Sequence, residues 1–385
     1  MKNFFYLCFF LSQSLISSSF ASDDTILKIA IILKNNNVPP YTSERYINFY
    51  KRGITTAEFY GRQLGLSIQS KYWVMSDIPH FSKQVKEIKK WEPGLIIGPN
   101  YSNSFLLLRN YFKDILVLSA YANDQSISSL PSNFHTLNPL NIEYAQAFTN
   151  FVSKEFPHSG VTIIVDKSCK SCYSLSQYFA SAYKNACPEN YIKVIPLDKD
   201  DNGVTSNSRL FKESYENKII LMLTTTDDAV TLIPKLSDRV KKPLKFIGGD
   251  SWGSSIDSKL GSVRTIASYQ TFHIIPRSVK QNSPELNLFM QNYKSVYKQQ
   301  AVDNVTYAVF STIKSVFRSL DKCLSLNNES MKERILRCYL KRLSLNPNAF
   351  RPKNFTIEKF ISNGAVLIAT IPSEKKFYCN RKINE

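Results

Sequence analysis

Short apolar runs alternate along this chain with segments whose apolar residues recur every three or four positions. That alternation predicts βα units and parallel sheets. Leu27 to Leu33 (LKIAIIL) reads as a buried strand. A polar loop with Pro39 and Pro40 follows, then a helix from about Tyr46 to Leu64 with Ile47, Tyr50, Ile54, Ala57 and Leu64 on its apolar face. Leu66 to Val74 is the next strand, Gln84 to Trp91 a charged helix and Gly94 to Ile97 a strand. A helix over about Asn103 to Phe112 leads to the strand Ile115 to Leu118.

The alternation restarts after Pro139. Ile142 to Phe156, Tyr173 to Ala186 and Asp227 to Lys241 read as helices, and Val161 to Val165, Tyr191 to Ile195, Lys218 to Leu223 and Leu244 to Ile247 as strands. The C-terminal third differs. Helical patterns over about Pro284 to Gln300, Asn304 to Leu324 and Met331 to Leu343 come in succession. In the second, Val305, Ala308, Val309, Thr312, Ile313, Val316 and Leu320 share one face. A hairpin closes the chain, Asn354 to Phe360 and Ala365 to Ile371, because Ser362-Asn363-Gly364 carries the Asn-Gly turn signal. Two βα series followed by a helical block suggest that the chain crosses back to complete the first of two lobes.

Length agrees, since 385 residues exceed what one small core organises. The N-terminus has the marks of an export signal: Lys2, an apolar stretch from Phe4 to Ile16, and Ser19-Phe20-Ala21 as a small-x-small cleavage site. A signal peptide over 1–21, cut after Ala21, is expected, with no membrane span after its removal. The formal charge is +18, spread over clusters such as Lys83, Lys86, Lys89 and Lys90 rather than gathered with aromatics. Together with export, this argues against a nucleic-acid partner and for a solvated basic surface.

Candidate chemistry sits where strands end. In an open α/β sheet, ligands bind outside the carboxyl ends of the strands. Phe246-Ile247-Gly248-Gly249-Asp250-Ser251-Trp252 runs from a strand through two glycines to a carboxylate. Asp250 there suits a ligand ammonium group, and Trp252 a flat apolar wall; a plain polar turn is the alternative. Gly98-Pro99-Asn100-Tyr101-Ser102 opens a helix and offers hydroxyls and N–H groups to a carboxylate, although Ser102 or Asn103 also suits an ordinary helix cap. Ser119-Ala120-Tyr121-Ala122-Asn123 follows the next strand and offers more of the same, with Tyr121 as a stacking ring. Thr224-Thr225-Thr226-Asp227 ends another strand, where Thr226 also suits a cap. The four histidines show no metal-ligand spacing, and no nucleophile elbow, P-loop or dinucleotide fingerprint occurs. No catalytic residue, metal or cofactor is expected. Cys169-Lys170-Ser171-Cys172 opens a helix as a thiol–disulfide site would, but a structural bridge is the simpler reading, because no thioredoxin-sized domain surrounds it.

In the order of these elements and loops the chain resembles the type I periplasmic solute-binding proteins, most of all the branch that binds leucine, isoleucine and valine for ABC importers. The resemblance runs from about Ile26 to Ile371. It implies an α/β fold of two Rossmann-like lobes joined by a hinge, with lobe one over 25–140 plus 272–344 and lobe two over 141–271 plus 345–385. It implies a periplasmic protein, not an enzyme, that captures a small amino-acid-like or amide ligand for an ABC permease. Ser102 and Asn123 would take its carboxylate, Asp250 its cation, and Tyr121 and Trp252 its side chain, with Ala122 and Thr225 beside them. The family's tyrosine-glycine loop is here Ser168 to Cys172, and only 12 glycines are present in all. Two other readings stay open: an activator of cell-wall synthesis with the same fold and a protein partner, and a thiol–disulfide-active protein using Cys169 and Cys172.

Six cysteines remain after signal removal, an even number suited to an oxidising compartment. On the lobe assignment, Cys169, Cys172, Cys187 and Cys379 fall in lobe two, and Cys323 and Cys338 in lobe one. A helix over 173–186 would hold its ends roughly 20 Å apart at about 1.5 Å per residue, against the roughly 7 Å that a bridge allows between Cα atoms. The expected pairs are therefore Cys169–Cys172, Cys187–Cys379 and Cys323–Cys338.

Overall fold

A computed structural model describes residues 26–34, 43–75, 78–167, 169–197, 218–237, 244–249, 252, 269–276, 283–298, 303–321, 323, 329–346, 352, 354–361, 364–372 and 378–379. The expected signal peptide, Asp250 and the Ser362-Asn363 turn lie outside those residues.

The first sheet is parallel throughout. Its strands are β1 (Ile26–Lys34), β2 (Ser67–Met75), β3 (Leu95–Ile97), β4 (Leu116–Ser119) and β5 (Phe134–Thr136), in the order β2-β1-β3-β4-β5. Leu27, Ile29, Ile31 and Leu33 of β1 enter one core, and Ala30 and Ile32 enter another behind the sheet. A strand buried on both faces needs apolar residues at consecutive positions, which is why this segment is apolar almost without a break. At the edge, β2 alternates exposed Ser67, Gln69 and Lys71 with partly buried neighbours. The helices α1 (Ser43–Gln63), α2 (Ile78–Trp91) and α3 (Ser102–Leu107) connect these strands. Leu64, expected on the apolar face of α1, is 46% exposed. The helix ends at Gln63 and the chain turns through Gly65, whose φ is +78°.

The second sheet contains β6 (Gly160–Asp166), β7 (Ile192–Leu197), β8 (Lys218–Leu223), β9 (Leu244–Gly248), β10 (Tyr269–Ile275), β11 (Asn354–Ile361) and β12 (Gly364–Pro372). Their order is β12-β11-β10-β9-β8-β6-β7, parallel from β7 through β10 and antiparallel at β11 and β12. Two helices, α4 (Asn141–Glu155) and α5 (Lys170–Ala186), bury Phe148, Phe151, Phe179 and Tyr183 against one face. On the other face, α6 (Thr226–Ser237) buries Leu232, Ile233 and Leu236.

Two strands, β5 and β10, are not announced by the sequence pattern. The first is only three residues long, and Gln270, Thr271 and His273 break the apolar run of the second. The expected lobe boundary at 271/272 falls inside β10, whose residues pair with β9 and β11. The change of sheet therefore comes after Ile275. Beyond it, α7 (Pro284–Tyr297), α8 (Asn304–Asp321) and α9 (Met331–Leu345) complete the core of the first sheet. Phe289, Phe310, Ile313 and Tyr339 share that core with Ile29 and Ile31 of β1. Gly53 of α1 lets α8 approach closely: a Cβ there would lie 2.7 Å from the Thr306 carbonyl.

The chain thus passes to the second sheet between β5 and α4, returns after β10, and leaves again after α9. The cysteines stand in the three pairs selected by helix length and lobe assignment, with Cα separations of 5.2 Å for Cys169–Cys172, 5.0 Å for Cys187–Cys379 and 5.9 Å for Cys323–Cys338. Among the described residues, no helix is long and apolar enough to cross a membrane, and no group of three or more His, Cys, Asp or Glu side chains could hold a metal ion.

Candidate functional site

At the carboxyl end of the first sheet, β3 runs into Gly98 to Tyr101 and β4 into Ala120 to Asp124. Gly98 has φ +93°, and a Cβ there would collide with the Ile32 carbonyl, so the turn admits glycine alone without strain. Ser119, fully buried at the end of β4, donates its hydroxyl to the Pro99 carbonyl at 3.0 Å. The same oxygen accepts the N–H groups of Tyr121 at 3.3 Å and Ala122 at 3.0 Å. Ser102 repeats the device at the start of α3. Its Oγ accepts the N–H of Asn123 at 3.0 Å and of Asp124 at 3.1 Å, and it lies 3.4 Å from Asn123 Oδ1. Two serines therefore clasp the two loops into one unit. The carbonyls are engaged as well: Asn138 Nδ2 donates to Tyr121 O at 3.0 Å, and Thr136 Oγ1 to Ala122 O at 2.5 Å.

The second sheet contributes from the other side. Ser171, in the first turn of α5, donates its hydroxyl to Asn123 Oδ1 at 2.6 Å. Asn141, at the start of α4, donates its side-chain amide to Ser171 O at 3.1 Å and its N–H to Asn123 O at 2.8 Å. At the end of β8, Thr225 and Asp228 cap α6 reciprocally: Thr225 Oγ1 donates to Asp228 Oδ2 at 2.8 Å, and Asp228 N–H donates back to Thr225 Oγ1 at 3.3 Å. Thr226, which the sequence also suits to a cap, donates its hydroxyl to the Trp252 carbonyl instead.

The structure brings Ser102, Tyr121, Ala122 and Asn123 together at one end of the first sheet. Ser102, Ala122 and Asn123 are buried there, and Tyr121 is half-buried. It does not bring Trp252 to a cleft wall. That ring is fully buried with Ile220, Met222 and Phe246, and lies nearly parallel to His273 at a centroid distance of 6.2 Å. The reason is local: Gly248 has no Cβ, and one there would collide with the Trp252 ring, so the turn after β9 folds the indole back into the core. His273 Nε2 lies 2.9 Å from the Gly249 carbonyl and, as the donor, ties that turn to β10. Sequence reasoning placed Ser119 in a candidate loop without seeing that it clasps the two loops, and it missed Asn138, Asn141 and Ser171 as parts of this hydrogen-bond network. Their signal was only a polar residue beside a strand end or helix start, which capping explains equally well. A separate cavity of about 840 Å³ lies at the opposite, amino ends of β1, β3 and β4, lined by Lys28, Lys89, Lys113 and Lys332 among others, and shares none of these loops.

Solved structures that match this fold are numerous. A leucine-binding protein from Thermotoga maritima superposes with a TM-score of 0.71 at 13% identity, over 90% of this chain and 99% of that one. The branched-chain amino acid transporter substrate-binding protein from Streptococcus pneumoniae, in complex with isoleucine, gives 0.69 at 12% identity, over 90% and 99%. A solute-binding protein of an ABC transporter from R. palustris, in complex with benzoate, gives 0.67 at 14% identity, over 90% and 97%. This chain has the type I periplasmic binding-protein fold. The likeness is one of architecture, since no protein-family model and no curated protein matches the sequence.

Proposed function

We propose that this chain is an exported solute-binding protein that captures a small amino-acid-like or amide ligand between two lobes, without chemical turnover, for delivery through an ABC permease. The first lobe is built on the β1–β5 sheet with α7 to α9, the second on the β6–β12 sheet, and closure is a hinge motion about the chain passages. Export would follow from the signal over 1–21, with cleavage after Ala21 into a periplasmic mature protein. The observation that carries the reading is the pair of loops clasped by Ser102 and Ser119 at the carboxyl ends of β3 and β4, faced by Ser171 from the other sheet. On this reading those loops and the start of α5 stand on the two sides of the interlobe cleft. Ser102 and Asn123 would meet the ligand's carboxylate or other acceptor, Tyr121 its side chain, and Asp250 its cation, with Ala122 and Thr225 at the margin. The buried indole of Trp252 supports the turn that precedes Asp250 rather than the ligand. The fold matches do not favour a cell-wall synthase activator or a thiol–disulfide enzyme.

Calorimetry of the mature protein against the amino acids, their amides and benzoate tests this. Heat with at least one amino acid or amide is expected, and Asp250→Ala should weaken that binding by two decades or more, because a half-made buried charge pair costs about 3–5 kcal/mol. No heat with any compound overturns the proposal. Heat with benzoate alone overturns the amino-acid assignment and the role given to Asp250.

A further inference from the structure

Ser171 lies between two bonded cysteines, Cys169 and Cys172, and on the line of contact between the two sheets. Its hydroxyl donates to Asn123 Oδ1 at 2.6 Å and lies 3.4 Å from Asn141 Oδ1, while its carbonyl accepts from Asn141 Nδ2 at 3.1 Å. Asn141 closes the triangle through its N–H to Asn123 O. Asn123 belongs to a loop of the first sheet, and Ser171 and Asn141 to helices of the second, so these bonds tie the two sides together beside the first chain passage. Cys169 is also the N-cap of α5, its sulfur accepting the Cys172 N–H at 3.2 Å. One short covalent ring therefore fixes the turn that presents Ser171.

We propose that the Cys169–Cys172 bond is a redox-set latch on the cleft, acting through Ser171 on Asn123. The inference deepens the ligand-cleft reading and rests on it for the meaning of closure, but its test uses no ligand. Cys169 is partly exposed and Cys172 is 8% exposed, so a dithiol reductant meets Cys169 first. A thiolate of the reductant attacks Cys169 Sγ, the Cys169–Cys172 bond breaks, and Cys172 leaves as a thiolate that takes a proton. The reductant's second thiol then displaces Cys169, so that two electrons and two protons pass to the cysteines and the dithiol becomes a disulfide. The start of α5 favours this step, because helix N-termini stabilise thiolates. Without the ring, Ser171 is no longer held against Asn123, and water competes for both. The other two disulfides join Cys187 to Cys379 and Cys323 to Cys338, and neither includes a residue of this triangle.

Amide hydrogen exchange on the ligand-free mature protein is the test. Cys169→Ser with Cys172→Ser, and separately Ser171→Ala, should speed exchange at Asn123 and Asn141 about tenfold, the size of one lost hydrogen bond. Ser171→Thr keeps the hydroxyl and should exchange as the unaltered protein does, and α8 should be unchanged in every variant. A folded double variant with ordinary exchange at Asn123 and Asn141 overturns the latch. Should that variant not fold, dithiothreitol titration of the unaltered protein with mass mapping decides. Opening of Cys169–Cys172 before the other bridges, with faster exchange at Asn123, supports the latch; opening without that change overturns it.

Discussion

Lys314, 1% exposed within α8, donates its ammonium to Glu285 Oε1 of α7 at 3.0 Å. The two partners are unequal, because the Glu285 side chain is 42% exposed. Removing the carboxylate takes an ion pair from a buried cation, whereas removing the cation leaves an acid that water can solvate. Glu285→Ala should therefore cost about 2 kcal/mol, below the usual 3–5 for a fully buried pair. Lys314→Met, which replaces the ammonium by apolar volume, should stay within about 1 kcal/mol of the unaltered protein. Urea denaturation of both variants checks this, and equal losses would contradict it.

Ser102→Ala removes one acceptor from two N–H groups, those of Asn123 and Asp124. Both residues are buried, and an orphaned buried donor costs about 1–3 kcal/mol. A loss of about 2 kcal/mol is expected, with faster exchange confined to the loop after β4 and that after β3. A denaturation midpoint equal to that of the unaltered protein would show that the loops do not depend on the clasp.

Asp303 stands just before α8 and accepts from Thr306 N–H at 2.8 Å and Thr306 Oγ1 at 2.6 Å. Burial nevertheless pushes its carboxyl pKa up, and those hydrogen bonds offset the rise only in part. A raised folded pKa means that the folded state holds the proton more tightly than the unfolded one. The stability it contributes is full below the ordinary carboxylate range and is lost as pH rises through the raised value. Asp303→Asn keeps an acceptor without the charge. Its advantage over the unaltered protein should be largest at neutral pH and shrink on acidification, as read by thermal melts across that range. An advantage that grows toward acid would reverse the sign argued here.

Elements whose signal is local were legible in the sequence. The unbroken apolar run of β1 needs no partner to declare itself, because burial on both faces of a parallel strand leaves no polar position. The face of α8 from Ala308 to Leu320 is buried as its spacing requires. The cysteine pairs follow from chain geometry only together with the lobe assignment that the resemblance implies, since a helix of 17 residues does no more than keep Cys187 away from Cys172. The loops carrying Ser102 and Asn123 could be placed because each follows a strand, β3 or β4, whose apolar run is legible in the sequence. Other features depend on what packs against what. Trp252 looks like a cleft wall until Gly248 lets it fold inward, and β10 looks too polar for a strand until its neighbours bury Thr271 and His273. Lys314 is buried within α8 while a separate helix, α7, supplies it with a carboxylate. Apart from β5 and β10, the order of strands and helices is thus written in periodicities that backbone geometry imposes on each segment alone. The meeting of Ser171 with Asn123 is not, because a hydrogen bond between residues 48 positions apart depends on how two sheets come together.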